Sequence, residues 1–427
     1  MLPMTERTIS PGVTLRAVQT NKFKTSMLGV TFSAPLTEET ASLNSLLPQV
    51  LRRGTRSHPD MEALSAALDD LYGGDLEPIL RKKGEVQTIG FWGSFLDDAF
   101  VPEGSHILEA AAALMGELVL RPAGEGNAFV PAYVESEKAN LIDSIRSERN
   151  EKRQYALIRL RTLMCEGESY GIGKQGTEET AAAITGETLW ERYQVLLSTA
   201  PVYFYYCGSA DIERVEGAFR AAFAQLPNTP RHPVPGTVAV PFPRGELRRF
   251  TDRMEVTQGK LTMGFRTGGS FQTMEELASA LLFNAVFGGS TNSKLFLNVR
   301  EKLSLCYYAS STLAMSKGVL FVSSGVEFAN FQRAEDEIMA QLAACQRGEI
   351  APDELEAARR SVINSLRSSL DAQGRLEDYW LTRYVGGTAF PPEELAAQVE
   401  AVTPEQVVET AKRITLDSVY TLRGKED

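Results

Sequence analysis

Histidine is scarce in this chain: three occur among 427 residues, His58, His106 and His232, and no two share a helical stretch. That excludes a metal gripped by two imidazoles one turn apart, which needs histidines at i and i+4 on one helical face. Cysteine is nearly as rare. Cys165, Cys207, Cys306 and Cys345 are widely scattered and form no CxxC pair, so they read as free, buried small hydrophobes. Positive charge is in deficit. A net charge of −11 argues against nucleic acid or an anionic membrane as partner, since either needs a clustered basic face. Long apolar runs are also missing: the most apolar helix-like stretch, residues 107–120, carries Glu109 and Glu117 and is too short to span a bilayer. The N-terminal run MLPMTERTISPGV holds no apolar segment of signal-peptide length, so a cytoplasmic location is the expectation.

What is present is ordinary for a soluble globular protein, with 43% hydrophobic and 23% charged residues. The length suits two domains of roughly 200 residues each. A linker stands out at residues 226–246, LPNTPRHPVPGTVAVPFPRGE, whose six prolines deny it helix and central-strand structure. It separates an N-terminal domain, residues 1–225, from a C-terminal domain, residues 247–427.

The two sides repeat an order of elements. Each begins with an alternating strand, residues 26–32 and 260–266; in the second, Leu261, Met263 and Phe265 share one face, the period-2 mark of a half-buried strand. Each then has an apolar-periodic helix ending in glycine, LNSLLPQVLRRGT and ASALLFNAVFGGST, where glycine suits a left-handed C-cap. A second helix and a pair of strands follow, and then matching helices at residues 135–145 and 356–366. Near the end of each half comes a threonine-led helix and a strand. Thr185 and Thr403 are expected N-caps, with Glu187 and Glu405 in the first turns. The expected fold class is α+β: two homologous domains, each an antiparallel sheet with helices packed mainly on one face.

The stretch FGGSTNSKLFLNVREKLSLCYYASS, residues 287–311, resembles the second-domain signature of the pitrilysin, insulinase and processing-peptidase (inverzincin) family of zinc peptidases: Gly-Gly, small polar residues, S-(K/R)-L-F, V-R-E-K, then an apolar residue and tyrosine. The two-halved organisation is similar as well, and within the family the chain looks closest to an inactive bacterial, YfmF-like branch. The resemblance implies paired α+β domains closing around an unfolded peptide. It also implies a helix bearing H-x-x-E-H, whose histidines bind zinc and whose glutamate takes a proton from the bound water, with a third ligand, a glutamate, on a later helix.

Placed by the shared L-x-x-G-T ending at Thr55, the first histidine position falls on Ser45, the glutamate on Pro48 and the second histidine on Gln49. No histidine lies between Met1 and Ser57, so a shifted alignment restores nothing. The third-ligand position falls on Ser144, beside Asp143, while Glu137 keeps an upstream acidic position and reads as a solvated charge. Leu43, Leu46, Leu47, Val50 and Leu51 still form one apolar face, so the helix survives as a core helix. Pro48 removes a backbone donor and clashes with the Asn44 carbonyl, so a kink is expected, at about 3 kcal/mol.

By the same resemblance, Arg300 in V-R-E-K and Tyr307, with Tyr308 as its neighbour, match an arginine and a tyrosine that face substrate. A guanidinium and a phenol can donate to a scissile carbonyl and stabilise an oxyanion. A helix-end arginine and a strand tyrosine are otherwise ordinary structural residues. The charge run Glu151, Lys152, Arg153 reads as a solvated helix face.

Two function classes follow. In the first, the chain has no catalytic residues, metal or cofactor of its own. It is the substrate-binding or regulatory subunit of a heterodimeric zinc peptidase whose partner carries H-x-x-E-H, and the ligand is a peptide. In the second, it is a non-hydrolytic homodimeric scaffold for peptides or proteins, of the kind linked to elongation-factor-P modification. An autonomous peptidase with another metal arrangement would need stoichiometric zinc in the purified chain.

Overall fold

The computed structural model describes residues 2–236, 245–304 and 306–426. Within the expected linker, residues 237–244 lie outside the described residues. The first sheet is built from β1 (Met4–Ser10), β2 (Val13–Gln19), β3 (Thr25–Pro35), β4 (Asp75–Lys83) and β5 (Val86–Leu96). The two-residue strands β6 (Gly124–Glu125) and β7 (Ala128–Phe129) pair only with each other, and β8 (Val202–Gly208) completes the sheet in the order β1-β2-β8-β3-β5-β4. The second sheet holds β9 (Arg248–Met254), β10 (Gly259–Arg266), β11 (Cys306–Ala314), β12 (Val319–Val326) and β13 (Thr415–Gly424), in the order β11-β12-β10-β13-β9.

Read from the β4 and β11 edges, the sheets match strand for strand: β4 with β11, β5 with β12, β3 with β10, β8 with β13 and β2 with β9. Each is antiparallel except for one parallel pair, β2–β8 and β9–β13. Strand β1 has no counterpart among the described residues. The fold is α+β, two homologous domains with sheets backed by helices.

The compact units are not the continuous halves expected from the linker. One unit gathers Met1–Arg146, Ile172–Gly236 and Ala372–Gly387. The other gathers Ser147–Gly171 with the described parts of Thr237–Asp371 and Thr388–Asp427. The halves exchange a helix each, and side-chain packing explains why. On the helix Lys152–Met164, Ala156, Leu160 and Met164 recur every fourth residue and bury against Val319, Phe321, Tyr420 and Leu422. On the helix Gln373–Val385, Leu376, Trp380 and Leu381 are buried, the Tyr384 ring lies tilted against Tyr203 with centroids 4.7 Å apart, and Glu377 meets Arg81 at 2.5 Å.

The Lys152–Met164 helix also corrects the half-buried reading of residues 260–266. Every residue of β10 is buried, because this helix covers the face opposite Leu261, Met263 and Phe265; a side chain at Gly264 would run into Met164. A buried ionic network fastens the same segment. Arg266 donates to Glu168 (2.7 Å) and Asp417 (2.9 Å), and Lys317 meets Glu168 at 2.8 Å.

The helix-ending glycines serve packing rather than a left-handed cap. Gly288 sits inside a π-helical turn, Ala285–Gly289, where a Cβ would lie 2.6 Å from Leu295 and 2.8 Å from the Ser311 nitrogen. The threonine caps are present as expected: Thr185 and Thr403 accept from the Thr188 and Gln406 backbone nitrogens, each within a capping box.

Candidate functional site

The helix Ala41–Leu51 runs unbroken through Pro48, and Leu46, Leu47, Val50 and Leu51 enter the core as their spacing requires. Pro48 is buried as well, packed where Phe32, Phe91 and Leu197 line a small apolar cavity. Ser45 is only 3% exposed, Gln49 is half-buried, and Ser144 lies exposed on the helix Pro131–Ser147.

One residue ties the start of the Ala41–Leu51 helix to the displaced third-ligand position at Ser144. The Gln175 carbonyl accepts from Ser42 Oγ at 2.9 Å, and the Gln175 side-chain amide donates to Ser144 Oγ, also at 2.9 Å. Glycine is required next door: Gly176 has a φ of +73°, and a Cβ there would collide with Ser42 Oγ. Beneath the helix, Asn44 donates to Gln87 (2.7 Å), whose own amide donates to the carbonyls of Ala41 (3.0 Å) and Lys174 (2.6 Å). Arg192 closes the network by donating from Nε to Asn44 Oδ1 at 2.7 Å.

These residues do not fit zinc. The donors offered are hydroxyls and an amide, one of them sealed from solvent and another committed to Gln175. Among the described residues no three histidines, cysteines or carboxylates are placed to hold a metal ion. Asp143 points to solvent, 3.7 Å from Arg146. Glu137 is not the solvated charge its sequence suggests: it is largely buried and ion-paired with Arg53 at 2.9 Å, whose guanidinium lies over Tyr133. The histidines are dispersed. His58 sits 3.6 Å from Glu117, His106 occupies an exposed left-handed cap position, and His232 is exposed.

The matching face of the second unit is irregular at both residues of interest. Arg300 lies in a π-helix, Leu295–Lys302, a geometry often associated with functional sites. Its guanidinium stacks 4.6 Å from the Phe296 ring, its Nε is 3.4 Å from Glu301, and 41% of the side chain stays exposed. Tyr307 follows as the extra residue of a β-bulge, since Cys306 pairs with Val326 and Tyr308 with Gly325. The bulge turns Tyr307 out to 65% exposure.

Tyr308 is turned the other way. Its ring lies under Arg153, 4.1 Å from the guanidinium, its hydroxyl is 3.5 Å from Ser323, and burial pushes its phenol pKa up. Gly325 makes room for it, because a Cβ there would come within 2.6 Å of the ring. Of the two tyrosines, Tyr307 therefore presents the accessible phenol. Arg153 is not part of a solvated charge run: it covers Tyr308 and donates to Ser310 at 3.0 Å, while Glu151 caps its helix. Neither Arg153 nor Gln175 was identifiable from sequence, since their partners are far away along the chain.

No helix among the described residues is long and apolar enough to cross a membrane. The family profile described as Peptidase M16 inactive domain matches residues 183–362. The chain is 33% identical over 417 residues to the "Probable inactive metalloprotease YmfF" of Bacillus subtilis, covering 97% of this chain and 96% of the relative. The inactive branch expected from sequence is thus represented by YmfF rather than YfmF. The "Uncharacterized zinc protease YmxG" of the same organism is 24% identical over 255 residues, 58% of this chain and 59% of that protein. Among solved structures, a conserved protein from Enterococcus faecalis superposes with a TM-score of 0.90 at 28% identity, over 99% of each chain. A peptidase M16 inactive domain from Pseudomonas fluorescens shares the fold at a TM-score of 0.79 and 16% identity, over 99% of this chain and 98% of that one. The near full-length similarity to an inactive relative joins the replaced ligand positions in one conclusion: the chain belongs to the M16 peptidase family, as an inactive homologue.

Proposed function

We propose that this chain is the substrate-binding, non-catalytic subunit of a two-chain zinc peptidase, with Arg300 and Tyr307 directed at the peptide held in its partner's active site. The observation carrying this reading is the contrast between Tyr307 and Tyr308. Two adjacent tyrosines are sorted by a bulge, one locked under Arg153 and one left exposed on the strand that follows the accessible Arg300. A bulge that exposes a phenol has no packing benefit of its own, and bulges recur next to active sites.

Phe296 and Glu301 hold the Arg300 guanidinium without burying it, so its remaining N–H groups can donate to a peptide carbonyl. Tyr307 supplies a second donor. Together they would stabilise the negative charge that develops on that oxygen, while the activated water comes from the partner's zinc. The existence of zinc-protease relatives such as YmxG supports the kind of partner required.

The test mixes this chain with an H-x-x-E-H homologue encoded in the same genome and measures assembly and peptide cleavage separately. Arg300→Ala should lower kcat/KM by about a hundredfold, the size of losing one oxyanion donor, with the complex intact by size-exclusion chromatography. Full activity in that variant would remove the role given to Arg300. A chain that only self-associates, and leaves the homologue's activity unchanged, would favour the homodimeric scaffold.

A further inference from the structure

Arg192 is half-buried on the helix Gly186–Thr199, and among the described residues it has no carboxylate within ion-pair distance. Its one hydrogen bond is from Nε to Asn44 Oδ1. Burial lowers its pKa, and no neighbouring charge acts against that effect. An uncompensated, partly desolvated cation is costly, and such groups are normally paired or bound to a ligand. Arg231 shows the usual structural alternative. It also lacks a carboxylate, but it donates to the carbonyls of Ala200, Leu197 and Pro227.

The anchoring of Arg192 is specific. Asn44 can present Oδ1 to it because the other end of that amide is held by Gln87, and Gln87 is itself fixed by two backbone carbonyls. Both amides are fully buried. With Nε taken, the outer edge of the guanidinium, Nη1 and Nη2, remains as a preorganised fork. Asn44 directly precedes Ser45, the first position at which the family resemblance implies a ligand, so the helix that lacks the H-x-x-E-H groups here orients a cation.

We propose that Arg192 is the reading residue of an anion site on the first unit, and that its ligand is a carboxylate on a peptide or protein segment. One fork offers a single charge and two parallel donors. That matches a planar monoanion better than a phosphate, with its higher charge and additional acceptor oxygens. The site is independent of Arg300 and of any partner chain, and it goes beyond the function proposed above.

The test uses the full chain, labelled with ¹⁵N-arginine, and follows the side-chain Nε–Hε signals during titration with sodium acetate. Sodium chloride at equal ionic strength and inorganic phosphate form the other arms. Acetate should shift one Nε–Hε signal that is missing from Arg192→Gln, and chloride should leave it in place. Arg192→Lys keeps the charge but loses the fork, and should bind acetate about tenfold more weakly, near the value of one charge-assisted hydrogen bond. The proposal is overturned if no acetate-responsive signal disappears in Arg192→Gln, or if Arg192→Lys binds acetate as well as the parent. Tighter binding of phosphate than of acetate would overturn the carboxylate assignment. If Arg192→Gln fails to fold, the Arg192→Lys comparison still decides.

Discussion

The guanidinium of Arg153 lies 4.1 Å from the centre of the Tyr308 ring, although 155 positions separate the two residues in sequence. This contact joins the exchanged helix to strand β11 and fixes which of two adjacent tyrosines faces outward. A half-desolvated cation–π contact contributes about 1–2 kcal/mol. Arg153→Ala should therefore destabilise the chain by about that amount in urea unfolding. It should also release Tyr308, which hydrogen exchange at the β11–β12 register shift would report as faster exchange.

Acid should unfold the second unit through Glu168 and Asp417. Burial by itself would raise the Glu168 carboxyl, but hydrogen bonds from Arg266 and Lys317 outweigh it and hold the pKa below its ordinary 4.5. Burial likewise opposes Asp417, whose bonds from Ser418, Arg248 and Arg266 hold it below 3.8. With folded pKa values depressed, the unfolded chain binds more protons in this range. The stabilisation is thus complete above the ordinary values and is lost as pH falls through the folded ones. Glu168→Gln should cost about 3–5 kcal/mol at pH 7, because it leaves Arg266 and Lys317 without their shared carboxylate. Urea midpoints measured from pH 7 to pH 3 should fall less in this variant than in the parent.

Cutting the chain at the proline-rich linker should yield two halves that do not fold separately. Residues 1–236 lack the helix Gln373–Val385, leaving the aromatic face of β8 uncovered, and carry the helix Lys152–Met164 without the sheet it packs on. Burying a side chain such as Leu160 or Met164 is worth roughly 2 kcal/mol, and net domain stability is only about 5–15 kcal/mol. Each half alone should be protease-sensitive with poorly dispersed amide signals. The two co-expressed should recover a protected, dispersed complex. A protease-resistant N-terminal half on its own would contradict the exchange.

Local patterns carried much of this protein into view. The apolar spacing of Leu46, Leu47, Val50 and Leu51 determined a core helix despite Pro48. The threonine-led turns at Thr185 and Thr403 determined helix starts, and the replacement of each zinc-ligand position was readable at Ser45, Gln49 and Ser144, because ligand chemistry belongs to the residue itself. Tertiary structure alone decided the rest. The exchange of helices, the burial of Glu137 against Arg53, the sorting of Tyr307 from Tyr308 and the anchoring of Arg192 by Asn44 all depend on side chains brought together from distant positions. Periodicity reports which face of an element is apolar. It carries no information on which distant surface that face will meet, nor on where one extra residue will bulge from a strand to keep the register of its partner.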